Sequence, residues 1–175
     1  MATWKIDASH SEIEFKVKHL MITNVNGFFT DYDATVEAAN DDFTDAKITF
    51  EAKVDSINTK NEQRDGHLKS DDFFNAAEFP VIKFESTSIV KKDNEHYKLN
   101  GNLTIRDNTK PVELDVEYAG VTVDPWGQTK AGFELSGKIS RKEFGLKWTA
   151  TTEAGGIVVS DDVKLLANVQ LIKQA

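Results

Sequence analysis

The chain predicts an all-β fold, a closed antiparallel up-and-down β-barrel of about eight strands with a short helical segment after the fourth strand region. Three observations carry that prediction. Apolar side chains recur at every second position in one segment after another, turn chemistry separates those segments, and only residues 59–75 replace alternation with helical spacing. A period of two gives each strand one dry and one wet face, and closure removes the unpaired edges of an open sheet. A two-sheet sandwich is the architectural alternative.

Trp4 and Ile6 open a short strand, and Asp7-Ala8-Ser9-His10 turns the chain as a hairpin start would. In Ser11 to Leu20 the odd positions carry Ile13, Phe15, Val17 and His19, and the even ones Glu12, Glu14, Lys16 and Lys18. Val25, Gly27 and Phe29 keep the odd phase whereas Tyr32, Ala34 and Val36 keep an even one, which predicts a β-bulge near Thr30. The next strands carry Ile48, Phe50, Ala52 and Val54, then Ile82, Phe84, Ser86 and Ser88, then Tyr97, Leu99, Gly101, Leu103 and Ile105. Arg106 to Thr109 makes a tight connection into Val112, Leu114, Val116 and Tyr118, with Pro111 near an edge or the start of that strand. Phe133, Leu135, Gly137 and Ile139, then Val163, Leu165, Ala167, Val169 and Leu171, complete a meander. In the interruption, Ile57, Asn61, Arg64 and Leu68 share one helical face, and Ser70 is placed as the N-cap of a second helix before Phe73-Phe74.

One domain, residues 1–175, accounts for the length, and such a chain buries a core without disulfides or a structural metal. The absence of cysteine excludes thiolate nucleophiles and zinc-thiolate sites. With 29 acidic and 21 basic residues the net charge is -8, which favours solubility and disfavours nucleic acid or an anionic membrane as partner. The first residues enter a strand pattern with no basic leader or long apolar run, so a cytoplasmic location without stable membrane insertion is expected, and export if the N-terminus is a processed one. The sequence leaves room for a homodimer.

The four histidines, His10, His19, His67 and His96, have no spacing that puts two ligands on one helical face, so no metal site is expected. His19 reads most plainly as a core histidine bonded to backbone, and otherwise as a polar contact inside a cavity. His10 beside Ser11 does not make a nucleophile and base, because strand neighbours face opposite ways and no nucleophile elbow is present. Gly155-Gly156 reads as a bend, and the pairs Asp41-Asp42, Asp71-Asp72 and Asp161-Asp162 as solvated element edges. Arg64 shares its face with apolar residues and needs a carboxylate, a carbonyl or a ligand oxygen, so it is either a structural clamp or a ligand contact. Arg141 carries the same ambiguity. Trp126 and Trp148 lie in longer loops, where they line a mouth or cap a core.

Trp4-x-Ile6-Asp7-x-x-His10-Ser11-x-Ile13-x-Phe15-x-Val17-x-His19-Leu20, the run Asn61-x-x-Arg64-Asp65-x-His67-Leu68-x-Ser70-x-Asp72-Phe73-Phe74, Phe79-Pro80, Gly137-x-Ile139-x-Arg141 and Phe144-Gly145 together resemble the YceI-like polyisoprenoid-binding proteins. The resemblance spans essentially the whole chain. It implies a lipocalin-like barrel closed at one end by helix, an apolar pore for a long-chain isoprenoid lipid such as a bacterial quinone tail or a polyprenyl chain, and no catalytic activity. No cofactor is expected, the bound lipid being a ligand.

The expected pore lining is Ile13, Phe15, Val17, His19, Phe50, Ala52, Phe84, Leu99, Gly101, Leu103, Leu114, Phe133, Leu135, Gly137, Leu165 and Ala167. Asn61, Arg64, His67 and Arg141 form the expected polar mouth. Gly101 and Gly137 sit in the inward phase of their strands and are expected to leave room for a slender chain. An enzyme using His10, His19 or His67 as acid or base, and a ligand-free barrel filled by its own side chains, are the competing readings.

Overall fold

The computed structural model describes residues 1–148 and 158–175. Among the described residues eleven strands and one short α-helix follow in chain order: β1 (Ala2–Ile6), β2 (Glu12–His19), β3 (Thr23–Phe29), β4 (Tyr32–Ala38), β5 (Lys47–Lys53), β6 (Ile57–Asn58), α1 (Glu62–Lys69), β7 (Val81–Lys91), β8 (His96–Ile105), β9 (Asn108–Val123), β10 (Thr129–Ser140) and β11 (Val159–Lys173). β1, β4, β5, β7, β8, β9, β10 and β11 close an eight-stranded antiparallel barrel through the β1–β11 pairing. β2, β3 and β6 add a flap along the same wall.

The meander expected throughout holds from β4 to β11, with β6 and α1 as an excursion between β5 and β7, and fails before it. β1 and β2 do not form a hairpin; they lie in tandem along β11, β1 against Leu171 to Lys173 and β2 against Val159 to Asn168. The phase switch at Thr30 is not a bulge within a strand. Phe29 ends β3, which pairs with β2 and β6, and Tyr32 opens β4, which pairs with β1 and β5. A change of partners resets the inward phase as effectively as an inserted residue would.

The helical segment is shorter than its polar composition promised. Asn61 is the N-cap of α1, its side chain accepting the Arg64 N–H at 2.9 Å, and Ser70 is the C-cap rather than the start of a second helix. After Ser70 the chain runs in turns, with the N–H groups of Phe73 and Asn75 both donating to Ser70 O. Ile57 lies in β6, so the helical face proposed for Ile57, Asn61, Arg64 and Leu68 reduces to Arg64 and Leu68. Arg106 fastens these turns to the barrel: its guanidinium donates to Asp71 O and Phe73 O and lies over the Phe79 ring.

Buried side chains fall into two clusters at opposite ends of the barrel. One, the floor, holds Trp4, Val36, Ala38, Phe43, Ala46, Ala131 and Leu171. The other gathers Phe29, Val54, Ile57, Phe73, Phe74, Phe144 and Leu146 under the helical segment and is continuous with the inner faces of β7 and β8. On β10 the burial pattern shows what lies between. Ala131 and Ile139 are buried, while Phe133 and Leu135, on the same inward face, are only partly covered. Inward apolar side chains without full cover imply an interior that is not filled.

Candidate functional site

That interior is a cavity of about 470 Å³ running between the two clusters. Its size lies within the range of about 300–1,000 Å³ usual for small-molecule sites. Of the expected lining, Ile13, Phe15, Val17, His19, Phe50, Ala52, Phe84, Leu99, Leu103, Leu114, Phe133, Leu135, Leu165 and Ala167 border it. Gly101 and Gly137 do not. A side chain at Gly101 would strike the ring of Phe84, and one at Gly137 would come within 2.5 Å of Leu114 Cδ2. The glycines therefore seat neighbouring side chains: the volume they vacate belongs to Phe84 and Leu114, and not to a pore. Gly27 does the same for Phe15, its cross-strand partner on β2.

The floor is built around a residue the alternation could not reveal. Phe43 sits in the turn after β4 with φ of 61° and is only 2% exposed. Its ring meets Trp4 and Phe133 at 5.1 Å and Tyr118 at 5.6 Å between centroids. Left-handed backbone is unfavourable for an aromatic residue, so the surroundings must hold it. They do: Asp45 accepts the N–H groups of Ala39 and Asn40, and Tyr97 Oη donates to Asp42 O at 2.5 Å. The only advance sign was one phenylalanine inside the acidic turn Asn40-Asp41-Asp42-Phe43-Thr44-Asp45.

At the mouth the expected polar residues separate. Arg64, His67 and Arg141 border the cavity, whereas Asn61 is spent on its capping bond outside it. Arg64 donates from Nε to Thr59 Oγ1 at 2.8 Å and from Nη2 to Thr59 O at 2.7 Å. Asp65 completes the knot by accepting from the Thr59 N–H and hydroxyl. His67 is held by Asp72 at 2.8 Å, and its ring meets Phe73 and Trp148 edge to face at 5.1 Å. Arg141 is buried, at 2% exposure. Its guanidinium donates to the carbonyls of Leu146, Trp148, Val159 and Ser160 over 2.6–3.2 Å. Burial pushes this group below its usual pKa, with Asp161 opposing. For Asp161 itself burial raises the carboxyl pKa, but hydrogen bonds from Ser140 Oγ and the Lys142 N–H outweigh it and leave the group below the usual range.

Several smaller expectations change. His19 is not buried, and among the described residues its ring bonds to no backbone group; it stands exposed at the end of β2, on the cavity rim. His10 and Ser11 are not strand neighbours facing opposite ways, because His10 ends a 3₁₀ turn and its Nδ1 binds Asp7 at 2.8 Å. Asp161 and Asp162 lie within β11, beside its irregular register, and not at an element edge. Trp126 is an exposed turn residue away from the cavity, and Gly155-Gly156 lies outside the described residues. Ile48, Val112 and Val116 border the cavity and share the alternating phase that identified their neighbours. Phe73 and Phe74 lie outside any strand, so only their pairing in a polar stretch marked them.

Among the described residues no cluster of three metal-ligating side chains occurs, and no helix is long and apolar enough to cross a membrane. Among the described residues no side chain fills the middle of the barrel.

The family model for the YceI-like domain matches residues 4–171. The UPF0312 protein SA2479 of Staphylococcus aureus (strain N315) is 39% identical over 171 residues, covering 97% of both chains. The crystal structure of the Campylobacter jejuni YceI protein superimposes with a TM-score of 0.78 at 38% identity, over 90% of each chain. A polyisoprenoid binding domain from Saccharophagus degradans shares the fold with a TM-score of 0.73 at 12% identity, over 98% of each chain. A closed barrel around an apolar interior, the motif-bearing residues at its mouth and these matches lead to one assignment: the chain belongs to the YceI-like domain family.

Proposed function

We propose that the barrel binds, stores or transports a long apolar isoprenoid lipid, of quinone or polyprenyl type, without transforming it. The observation that carries this reading is the cavity: about 470 Å³ between two packed ends, bordered along its middle by Phe15, Phe50, Leu114, Phe133, Leu135 and Leu165. These side chains offer dispersion contacts and no oriented polar chemistry, which suits a hydrocarbon chain and little else. The likeness in fold to a polyisoprenoid binding domain supports the same ligand class.

Burial contributes about 0.8 kcal/mol per methylene, so several isoprene units supply on the order of 10 kcal/mol. Association and ordering oppose it with about 4–15 kcal/mol, so a long tail binds and a short one does not. Arg64 and Arg141 already donate to protein oxygens, which leaves headgroup selection weak and chain length dominant.

Native mass spectrometry of the purified protein, with solvent extraction of what it carries, tests the reading. The expected result is a mass shift matched by an extracted prenyl chain, or uptake of added geranylgeraniol from detergent micelles. Folded protein that retains no isoprenoid from either source and also excludes unrelated hydrophobic dyes would sink it.

A further inference from the structure

The turn joining β2 to β3 has a composition that its geometry does not ask for. Leu20 and Met21 adopt φ of 53° and 61°, left-handed values that favour Gly, Asn or Asp. The chain places Leu20, Met21 and Ile22 there, exposed by 38%, 53% and 77%. Neither turn formation nor core packing explains three consecutive apolar side chains in water at a hairpin tip. The tip stands over the cavity rim: Val17, His19 and Val25 at its base all border the cavity, and the Leu20 N–H donates to Val158 O at 2.8 Å beside it.

The wall below the tip carries a second unexplained feature. Lys138 on β10, Lys164 on β11 and Lys16 on β2 lie directly opposite one another across three adjacent strands, and Lys18 stands one pleat nearer the tip. Like charges in facing positions disfavour the sheet. Among the described residues the one ion pair these lysines make is Lys138 to Asp162, at 3.7 Å. Four other mouth-end acids are engaged elsewhere: Asp161 with Ser140 and Lys142, Asp65 with Thr59, Asp71 with Arg106 and Asp72 with His67.

Farther down the same wall the sign reverses. Glu12 and Glu134 flank Asn168, and Glu117 faces Glu134. Glu12 is about 20 Å from Lys18 along β2 at 3.4 Å per residue. That exceeds twice the Debye length of about 8 Å at physiological ionic strength. A planar anionic surface at the tip therefore meets the lysines together with Glu14 and the Asp162 that pairs with Lys138, and the acids nearer the floor are screened from it. The net charge of -8, which argued against an anionic membrane for the whole chain, does not describe this end of the barrel.

We infer that the β2–β3 tip docks on an anionic lipid bilayer, Leu20, Met21 and Ile22 entering the interface while Lys16, Lys18, Lys138 and Lys164 face the headgroups. This places the cavity rim against the membrane, and its meaning as a loading position rests on the lipid-binding reading. An apolar tip and a basic collar are the two weak signals that together give reversible attachment.

The experiment is flotation of the full chain with two kinds of vesicle, phosphatidylcholine alone and equal parts phosphatidylcholine and phosphatidylglycerol. The expected result is binding to the mixed vesicles that falls as salt is raised, with little binding to phosphatidylcholine. Ile22→Asp, and separately Lys16→Glu with Lys164→Glu, should each weaken it at least about fivefold, the factor that one headgroup contact of typical strength represents. Both variants change exposed or partly exposed side chains that do not border the cavity, and a matching circular dichroism spectrum and melt establish that they fold. Absence of binding to the mixed vesicles, equal binding to both vesicles, or undiminished binding by either variant would overturn the proposal. Uptake of geranylgeraniol from detergent by the same variants separates the two readings: docking with no uptake leaves the membrane surface standing and removes the lipid cargo, and uptake with no docking does the reverse.

Discussion

The two ends of the barrel are closed by different physics. The floor is shut by shape, with Phe43 wedged between Trp4, Tyr118 and Phe133. The mouth is held by direction, with arginines whose donors reach backbone carbonyls: Arg106 to Asp71 O and Phe73 O, Arg64 to Thr59 O, and Arg141 to four carbonyls around the cavity rim. Apolar packing is a sum of many small contacts, whereas each hydrogen bond is lost as a unit when its donor moves. The floor therefore depends on many small contacts and the mouth on a few discrete ones.

The comparison breaks most visibly at the floor. Phe43→Ala removes a fully packed ring and should lower the unfolding free energy by about 4 kcal/mol, read from urea denaturation. Phe43→Gly should be more stable than Phe43→Ala by about 1 kcal/mol, because glycine adopts the positive φ without strain. If alanine is the better residue at this position, the left-handed backbone is not what the aromatic box maintains.

At the mouth, Arg141→Met keeps the apolar stem and strips the donors from buried carbonyls, for an expected loss of about 3 kcal/mol in the same measurement. Arg141→Lys should recover less than half of that, since an ammonium cannot span carbonyls on both sides of the rim as a planar guanidinium does. Full rescue by lysine would mean that charge, and not the fork of donors, holds the rim.

The smallest effect concerns a polar exception at the floor end. Asp7 is held at about 2, below its ordinary 3.8, by the Ser9 hydroxyl foremost and then by His10 and Lys130, against the opposing effect of burial. A depressed carboxyl pKa contributes stability that is present above 3.8 and lost as the pH falls toward 2. Asp7→Asn should therefore be less stable than the parent at neutral pH, with the difference shrinking through that window. Denaturation midpoints measured from about pH 6 down to about pH 2 check it, and a constant gap would show that Asp7 contributes nothing through its charge.

The barrel and most of its lining were legible because alternation is a local property: Phe15, Phe50, Leu114 and Leu165 declare their face through their immediate neighbours. The glycines misled because the same pattern says which way a position points and not what fills the space, and Phe84 and Leu114 fill it. Phe43 was invisible for the opposite reason, being an apolar residue whose burial depends on a turn folding back over the barrel end. Strand pairing was the other blind spot. Nothing in Trp4 or Ile6 says that β1 sits end to end with β2 and not beside it. Net charge likewise hid the lysine row, since a sum over the chain carries no information on where along β2, β10 and β11 the charges fall.

The tandem seating of β1 and β2 on β11 also bears on how the barrel assembles. Among the described residues β11 is the one strand that pairs with both, and these two partners lie almost the full length of the chain away from it. Such contacts are the slowest to form, because the entropy of closing so long a loop must be met before the pairing returns anything. Until β11 arrives, β10 and both N-terminal strands expose free edges, and the apolar wall meant for the cavity faces water. A ribosome delivering this chain from its N-terminus holds that open sheet through most of synthesis, so the protein's dependence on chaperones should be concentrated in the interval just before residues 159–173 emerge.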